Sequence, residues 1–338
     1  MLRSLLLALM CSLGTLAAGA AEHSSTELPA KPPASKQPAE KEKRPPKKAA
    51  GAGEAFRIYS PIWSPPSPPP GEVPDLVAHA GVAEAAVLAQ RTDEAPLLLF
   101  VAIDFSDDLI LTESAKESLA SSIKGVKPNV YTSLLRIPEQ PMVLVDPTQN
   151  REPFIEGLRT LPMSGRAGFF EMVDVVSSVT EPLVRKYPVR VAVLYVTDSE
   201  ISRYRSDYTN PVINSADSRD LSRRFPDALI REKVNTLTST LVRTSVPLFV
   251  VHLRYRSDTL NEAYQTGLRR LAETTGGRAV FCRSIADIPT SIADMLNTIQ
   301  AMKMVEVEVP GKVTGSFSLS LESGAGPLQH RTLFQRPR

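Results

Sequence analysis

The chain has 338 residues, of which 42% are hydrophobic and 22% are charged. This composition excludes a wholly disordered chain and a polytopic membrane protein, and the length suffices for one large or two small domains. The 39 basic and 37 acidic residues nearly cancel, so the charge balance gives no reason to expect a nucleic-acid partner. Two cysteines, Cys11 and Cys282, are too few for a disulfide framework, and we expect Cys282 to be a buried core residue.

The first twenty residues have the features of a secretory signal peptide. A single charge at Arg3 precedes a short apolar run, which ends at the small residues Ala18-Gly19-Ala20. That pattern predicts cleavage after Ala20 and an exported protein, secreted or periplasmic, without a stable membrane span. Retention as an uncleaved anchor is the alternative, although the run is short for a bilayer span of about 20 residues.

Residues 21–72 form a segment rich in proline, lysine and alanine. Thirteen of the 29 prolines lie between Pro29 and Pro74, and residues 27–53 show no apolar periodicity. Such a segment buries too little surface to offset its chain entropy, so we predict a disordered tether. Its lysines could touch an anionic surface. Trp63, the only tryptophan, either docks on the folded domain or is an exposed anchor.

From residue 73 the sequence alternates between helical and strand patterns. Three long apolar runs, at residues 97–103, 189–196 and 247–253, predict strands that are buried on both faces. Shorter strands are predicted at residues 130–136, 142–145 and 278–281. Helices are predicted at residues 76–90, 109–123, 154–161, 169–186, 221–242, 259–275 and 288–302. The sixth of these helices is expected to stop at Gly276-Gly277.

Strands separated by helices predict an α/β fold with a doubly wound, mostly parallel central sheet and helices on both faces. We assign this domain to residues 73–305. Residues 305–309 and 317–321 alternate apolar and polar side chains. This alternation predicts a terminal β pair, and we assign residues 306–338 to a C-terminal β extension and tail.

Two of the predicted central strands end in acidic clusters. The first strand runs into Asp104-Phe105-Ser106-Asp107-Asp108, and the second runs into Thr197-Asp198-Ser199-Glu200. Because binding sites in open α/β sheets form beyond the carboxyl ends of the strands, these side chains are expected to converge. Unpaired carboxylates at short range repel one another, and a cation would relieve that repulsion.

These motifs resemble the metal-ion-dependent adhesion site of the von Willebrand factor type A domain. In that family an Asp-x-Ser-x-Ser motif follows the first strand, and a Thr-Asp-Gly-like turn follows a later one. Here the motifs read Asp104-x-Ser106-x-Asp108 and Thr197-Asp198-Ser199, and the resemblance extends over residues 95–305. It looks closest to exported bacterial members, whose ending is similar to residues 271–278 followed by Asp287-Ile288-Pro289.

The resemblance implies a divalent-cation site. Mg²⁺, Mn²⁺ or Ca²⁺ would be held, directly or through water, by Asp104, Ser106, Asp108 and Asp198. In the family, a carboxylate from a protein partner completes the coordination of the metal. The resemblance therefore implies an adhesion or scaffold module that binds another protein.

Departures from the family pattern leave it open whether this site binds a metal ion. Asp108 and Ser199 stand where the family has Ser and Gly, and Arg166 stands where a second loop supplies a Thr. Ser164 substitutes for that Thr if the loop is shifted by two residues. The site then holds a metal, or the guanidinium of Arg166 in its place, or it is solvated and eroded. The β-rich segment that similar bacterial proteins carry before the domain is expected to be missing.

The segment after Asp198 is long for a strand-to-helix connection. Residues 199–219 carry Arg and Tyr, which are enriched at binding hot spots, and a second Arg-Tyr pair follows the next strand. We therefore predict a partner-binding rim made of Arg203, Tyr204, Arg205, Tyr208, Arg254 and Tyr255. Such a surface suits an acidic protein loop or an anionic polymer, whereas a disordered insertion is the alternative.

The sequence predicts an exported, non-catalytic module that binds a protein partner, with a divalent cation as a candidate bridge. The first alternative is a metal-independent scaffold in which Arg166 occupies the degenerate site. The second, a metal-dependent hydrolase, is disfavoured because haloacid-dehalogenase-like phosphatases need a carboxylate where Ser106 stands. His252 ends a strand without a Gly-x-Ser-x-Gly elbow, so a Ser/His/Asp relay is disfavoured as well.

Overall fold

The computed structural model describes residues 54–64, 71–106, 108–137, 141–204, 226–324 and 326–336. The predicted signal peptide and the tether up to residue 53 lie outside these residues. The described strands form two sheets, one of seven strands and one of six. The helices pack on the six-stranded sheet. Within the described ranges, every helix is too short or too polar to cross a bilayer.

The elements follow one another in chain order. The strands are β1 (Phe56–Trp63), β2 (Val77–Ala80), β3 (Ala83–Arg91), β4 (Leu97–Asp104), β5 (Val130–Arg136), β6 (Met142–Thr148), β7 (Arg190–Thr197), β8 (Leu248–His252), β9 (Ala279–Phe281), β10 (Lys303–Val309), β11 (Ser316–Glu322), β12 (Gln329–His330) and β13 (Leu333–Gln335). The helices are α1 (Leu109–Lys124), α2 (Glu152–Arg159), α3 (Phe169–Lys186), α4 (Pro226–Leu241), α5 (Thr259–Thr274) and α6 (Asp287–Ala301). A 3₁₀ turn covers Ile201–Arg203.

One sheet is the predicted α/β sheet. Its strand order is β6-β5-β4-β7-β8-β9, and neighbouring strands run parallel except for β5 with β6. Every residue of β4 and of β7 is buried, because helices cover both faces of the sheet. The odd-numbered side chains of β4 share one core cluster with side chains of α1 and α6. The predicted fold class, a doubly wound and mostly parallel sheet flanked by helices, is confirmed.

The register of this sheet brings the acidic strand ends together. The strand order reverses at β4, which has β5 on one side and β7 on the other. Asp104 lies opposite Thr197, and Thr197 lies opposite His252. The polar ends of three neighbouring strands therefore lie side by side at the carboxyl edge, where α/β sheets form their sites.

The other sheet is antiparallel and is made of segments on either side of the α/β part. Its strand order is β12-β1-β10-β3-β2-β11-β13, and its core contains Ile58, Val305, Val307 and Phe317. Residues 305–309 and 317–321 do lie in strands, as predicted. They do not pair with each other, however, because β10 pairs with β1 and β3, whereas β11 pairs with β2 and β13.

The helix predicted at residues 76–90 is wrong. This segment forms β2 and β3, which are joined by a tight turn in which Gly81 takes a φ of +61°. Alanine favours a helix in an isolated peptide, but pairing of β3 with β10 and β2 outweighs that weak preference. Ala83 and Ala85 are buried while Glu84 is exposed, which is the two-residue period of a strand.

Residues 56–63, predicted to belong to the tether, form β1 instead. This strand pairs with β10 from Phe56 to Ile62, and Ile58 and Ile62 are buried in the core of the antiparallel sheet. Strands β1 to β3 therefore precede the α/β part, where no β-rich segment was expected. Strand β1 was not predicted because Pro61 and the prolines after it argue against a strand, since proline lacks the backbone N–H that a strand residue donates.

Trp63 joins the two sheets. Its indole Nε1 donates a hydrogen bond to the Gly276 carbonyl oxygen at 2.9 Å, and its ring belongs to the core cluster of the α/β part. The tryptophan is thus docked rather than exposed. Gly276 has a φ of +84° just after α5 ends at Thr274, which confirms the predicted glycine stop. Cys282 is buried, as predicted.

Candidate functional site

Asp198 holds the loop that follows β4. Its Oδ1 accepts hydrogen bonds from the Ser106 N–H at 2.6 Å and from the Ser106 hydroxyl at 3.0 Å. Its Oδ2 accepts a hydrogen bond from the Asp108 N–H at 3.0 Å. Asp198 and Ser106 are both buried, so one carboxylate joins the end of β7 to the loop after β4 away from solvent.

Asp104 ends β4 and is fully buried. Its Oδ1 accepts a hydrogen bond from the Gly168 N–H at 3.0 Å, and its Oδ2 accepts one from the Thr197 hydroxyl at 3.3 Å. Burial and the negative charge of Asp198 raise the pKa of Asp104 to about 7, although the bonds from Gly168 and Thr197 lower it. Ionisation of the Asp104 carboxyl group is therefore less favourable than that of an exposed aspartate.

Asp108 caps helix α1. Its Oδ1 accepts a hydrogen bond from the Leu111 N–H at 3.1 Å, which makes Asp108 the N-cap residue. Its Oδ2 lies 3.4 Å from Nη1 of Arg254 in an ion pair. The third position of the Asp-x-Ser-x-Asp motif therefore has partners in a helix and in the predicted rim.

The second loop, residues 164–168, packs against the first. The N–H groups of Ser164 and Gly165 donate to the carbonyl oxygens of Phe105 and Ser106 at 2.9 and 2.7 Å. The Ser164 hydroxyl lies 2.6 Å from the carbonyl oxygen of Arg166, so the candidate substitute for threonine contacts backbone. Arg166 is exposed, and its role as a replacement for the metal stays a prediction.

A chain of four buried hydroxyl groups connects Asp104 to α5. Thr197 Oγ1 lies 2.6 Å from Ser199 Oγ, which lies 2.7 Å from the Tyr264 hydroxyl, and that hydroxyl lies 2.6 Å from the one on Tyr204. Because a hydroxyl both donates and accepts, the chain can meet Asp104 in either protonation state. Sequence reasoning named Ser199 only as a departure from the family pattern, and it missed Tyr264, since no motif marks a tyrosine in the middle of an amphipathic helix.

His252 has a structural role. Its Nε2 lies 2.7 Å from the Ser199 carbonyl oxygen and must carry the proton, while its Nδ1 accepts a hydrogen bond from the Arg254 N–H at 3.3 Å. Burial lowers the pKa of His252 to about 4, although the Ser199 carbonyl opposes that shift. The imidazole is therefore neutral at neutral pH, and the backbone engages both ring nitrogens.

The predicted rim is only partly a surface. Tyr204 is buried, with its ring centroid 5.2 Å from that of Phe170 and 5.5 Å from that of Tyr264, so it does not belong to the rim. The reason is that the 3₁₀ turn folds back onto the second loop, where the Ala167 N–H donates to the Arg203 carbonyl oxygen at 2.9 Å. The candidates Arg205 and Tyr208 lie outside the described residues.

Arg203, Arg254 and Tyr255 are exposed, as the rim prediction requires. Acidic neighbours balance part of their charge. Arg203 lies 3.7 Å from a carboxylate oxygen of Glu200, and Arg254 pairs with Asp108. Exposed ion pairs of this kind contribute little to stability, so a carboxylate on a partner can compete for these guanidinium groups.

Three exposed apolar side chains, here called the apolar rim, lie beside the same loops. Leu109, Ile110 and Met163 are 57%, 68% and 37% exposed. The first two begin α1, and Met163 Sδ lies 3.7 Å from the hydroxyl of Thr112 in the same helix. Sequence reasoning missed them, although α1 buries residues at a spacing of four, which leaves its first two positions facing outward.

The residues named by the family resemblance are hydrogen-bonded within the protein in this arrangement. The carboxylate oxygens of Asp104 and Asp198 accept bonds from protein N–H and O–H groups, and the Ser106 hydroxyl donates to Asp198. Across the described ranges, no three or more His, Cys, Asp or Glu side chains are grouped to hold a metal. A cation at this edge would share these oxygen atoms with the N–H and O–H donors.

Neither protein-family models nor curated proteins match this chain. Solved structures do. An aerotolerance-related membrane protein from Bacteroides fragilis is 12% identical, over 60% of this chain and 98% of its own, with a TM-score of 0.37. A von Willebrand factor type A protein from Catenulispora acidiphila is 10% identical, over 84% and 74%, with a TM-score of 0.41. Proximal thread matrix protein 1 from the mussel byssus, with a zinc-occupied adhesion motif, is 8% identical, over 65% and 49%, with a TM-score of 0.39.

The structural neighbours include von Willebrand factor type A domains at low identity. What each neighbour binds is a property of that protein. The α/β fold of this chain rests on its own strand order, β6-β5-β4-β7-β8-β9, and on the acidic ends of β4 and β7 at the carboxyl edge of the sheet.

Proposed function

We propose that this chain, whose fold is like that of a von Willebrand factor type A domain, is an exported, non-catalytic module that binds another protein. Export rests on the signal-like pattern of the first twenty residues. The binding surface is the carboxyl edge of the parallel sheet. One observation carries this proposal: exposed apolar and exposed basic side chains surround a buried, hydrogen-bonded pair of carboxylates at that edge.

The apolar rim and the exposed Arg254 and Tyr255 form one surface. The ion pair between Asp108 and Arg254 connects the start of α1, which carries Leu109 and Ile110, to the loop after β8. Clustered exposed apolar side chains favour an interaction site, and Arg and Tyr are common binding hot spots. The partner that fits this surface presents an apolar side chain to the apolar rim and an acidic group to Arg254.

A non-catalytic role is supported by the side chains that catalysis would need. Asp104, Ser106 and His252 are buried, so none of these three groups reaches solvent to meet a substrate. The Ser106 hydroxyl donates to Asp198, and both nitrogens of His252 are engaged by backbone groups. Among the described residues, these contacts leave Ser106 and His252 without the mutual hydrogen bond that a Ser/His relay needs.

Binding without a metal is the form that the geometry favours. The carboxylate pair has protein donors in place of a cation, and the exposed side chains can contact a partner directly. The runner-up is a cation bridge, in which Mg²⁺, Mn²⁺ or Ca²⁺ links Asp104 and Asp198 to a carboxylate of the partner. EDTA should abolish binding in the bridged form and leave it unchanged in the direct form.

The replacement Ile110→Asp tests the surface. A charge in the centre of the apolar rim should weaken partner capture at least about tenfold, because a desolvated carboxylate would face apolar atoms of the partner. The measurement is capture of extracytoplasmic proteins by the full chain, quantified by mass spectrometry, with and without EDTA. We expect the same partner with and without EDTA, and its loss from Ile110→Asp in both conditions.

Val82→Asp is the matched control, since Val82 is fully exposed on the turn between β2 and β3, away from the carboxyl edge. This variant should capture the partner as well as the unmodified chain does. Equal capture of the partner by the unmodified chain, Ile110→Asp and Val82→Asp would contradict the proposed binding surface. Loss of capture in EDTA would instead favour the cation bridge.

A further inference from the structure

A cavity of about 250 Å³ lies between the two sheets, at the edge of the parallel sheet opposite Asp104. Arg185 is in the last turn of α3, which leads into β7, and Arg243 follows α4, which leads into β8. The cavity is therefore at the amino ends of the parallel strands. Arg331 and Arg336, near β13, close it from the antiparallel sheet.

Arg331 is the most enclosed of the four arginines. It is fully buried, and its Nε donates to the Leu333 carbonyl oxygen at 2.8 Å while its Nη2 donates to that of Val242. Its guanidinium stacks on Phe334 at 4.1 Å. These partners are all uncharged, and among the described residues Nη1 has no hydrogen-bond partner. Burial lowers the pKa of Arg331 to about 9, so the group remains positively charged at neutral pH.

Two of the other arginines also have no carboxylate partner among the described residues. Arg243 Nε donates to the side-chain oxygen of Gln335 at 2.9 Å, and Arg336 donates to three backbone carbonyl oxygens. Only Arg185, of these four, pairs with an acidic group in the described part of the chain, and that group is Glu181. Four guanidinium groups thus share one carboxylate around the cavity.

An ordinary structural role explains only part of this cluster. Basic side chains often stabilise the last turn of a helix, which accounts for Arg185 at the end of α3. It does not account for a buried Arg331 from the antiparallel sheet beside Arg243. Glu181 also acts on the charge of Arg331, but it is paired with Arg185, so one carboxylate faces several guanidinium groups and the cavity is short of negative charge.

We infer that this cavity binds a doubly charged tetrahedral oxyanion, phosphate or sulfate, either free or as the terminal group of a small molecule. Guanidinium groups match pairs of oxygen atoms on such anions, and several together supply the charge that one anion needs. The volume equals that of about eight water molecules at roughly 30 Å³ each. That space holds the anion with a small substituent and is below the usual size of a site for a larger ligand.

Isothermal titration of the full chain with inorganic phosphate tests this inference, with chloride used to hold the ionic strength constant. We expect saturable binding of one phosphate, and Arg243→Gln should weaken it at least about tenfold because one guanidinium fork is lost. Arg270→Gln is the matched control, since Arg270 is exposed on α5, bonds to Asn235 and does not line the cavity. It should change the affinity less than about twofold.

A second ligand and a second variant extend this titration. Glycerol 3-phosphate binding more tightly than inorganic phosphate would identify the anion as the terminal group of a small molecule, and the reverse would identify the free ion. Arg331→Lys keeps the positive charge but loses the planar guanidinium group, so this variant should also bind phosphate more weakly. If Arg331→Lys does not fold, the phosphate affinity of Arg243→Gln alone tests the inference. Absence of saturable heat with both phosphate and sulfate, or equal weakening by Arg270→Gln, would overturn the inference.

Discussion

Replacing Asp104 with asparagine is expected to stabilise the protein at mildly alkaline pH, by about 2 kcal/mol in the free energy of unfolding. The carboxyl group is fully buried and its pKa is raised to about 7, from 3.8, by burial and by the charge of Asp198. A rise of that size corresponds to about 4 kcal/mol of unfavourable ionisation in the folded state. The neutral amide removes this penalty but forms weaker hydrogen bonds, which reduces the gain.

The pH dependence identifies the cause. The pKa of Asp104 is higher in the folded protein than in the unfolded chain. Ionisation of this group therefore destabilises the fold fully at pH values above the folded-state pKa, and it has no effect at pH values below the unfolded-state pKa. The difference in stability between Asp104→Asn and the unmodified chain should therefore grow from pH 3.8 to about 7 and then level off. Urea unfolding of both proteins at several pH values measures it.

Asp198→Asn is the matched comparison and should have the opposite effect at about pH 5, where Asp104 is protonated and the charge of Asp198 no longer repels it. Both oxygens of Asp198 accept hydrogen bonds from backbone N–H groups, those of Ser106 and Asp108. An asparagine at this position directs its NH₂ group at one of these donors in either orientation, so it leaves an N–H without an acceptor and costs about 1–3 kcal/mol. Destabilisation by both variants would contradict the role given to the Asp104 carboxyl group.

Arg190→Met is expected to lower the free energy of unfolding by at least about 4 kcal/mol. Arg190 begins β7 and is fully buried. Its guanidinium donates, at 2.8 to 2.9 Å, to the backbone carbonyl oxygens of Asp93, Ala95, Gln300 and Met302. These carbonyls belong to the chain entering β4 and to the junction of α6 with β10, so one side chain links the two sheets.

The expected loss comes mainly from the carbonyl groups of Gln300 and Met302, because those of Asp93 and Ala95 also accept from Asn129. Each buried carbonyl group left without a donor costs about 1–3 kcal/mol. Arg57→Met is the matched control, because Arg57 makes one ion pair with Glu306 and its side chain is 62% exposed. The control should change stability by less than about 1 kcal/mol. Urea unfolding curves compare the two, and equal effects would show that Arg190 does not link the sheets.

The central sheet was predictable from the sequence because its strands carry their own signal. The runs that became β4, β7 and β8 are continuous and apolar, as strands buried on both faces must be. Parallel strands also end at one edge, so the meeting of Asp104 with Thr197 and Asp198 followed from strand order alone.

The antiparallel sheet was not predictable, because its stability lies in long-range pairing. Alanine-rich β3 pairs with β10, which lies more than two hundred residues later, as well as with β2. In the same way β1 follows a low-complexity segment and contains Pro61, so local composition pointed to a tether. Local preferences of a few tenths of a kcal/mol per residue cannot oppose such pairing.

The partners of the site residues were also beyond sequence reasoning, with one exception. Nothing in a single sequence shows that the hydroxyls of Ser199, Tyr264 and Tyr204 meet in one buried chain, because α5 and the 3₁₀ turn come together only in the fold. The exception is Asp108. An aspartate directly before an apolar helical segment is a preferred N-cap, so its structural role could have been weighed against metal binding.

Metal-independent binding at the carboxyl edge is tested most directly by thermal unfolding of the full chain in EDTA and then in millimolar Mg²⁺, Mn²⁺ or Ca²⁺. An ion at about 100 times its dissociation constant adds about 2.7 kcal/mol, which raises the midpoint of a domain of this size by about 5–10 °C. Because protein N–H and O–H groups already bond the oxygens of Asp104 and Asp198, we expect midpoints within about 1 °C in all four conditions. A rise of several degrees with any of the three ions, lost in Asp104→Asn, would contradict this expectation and establish a metal site.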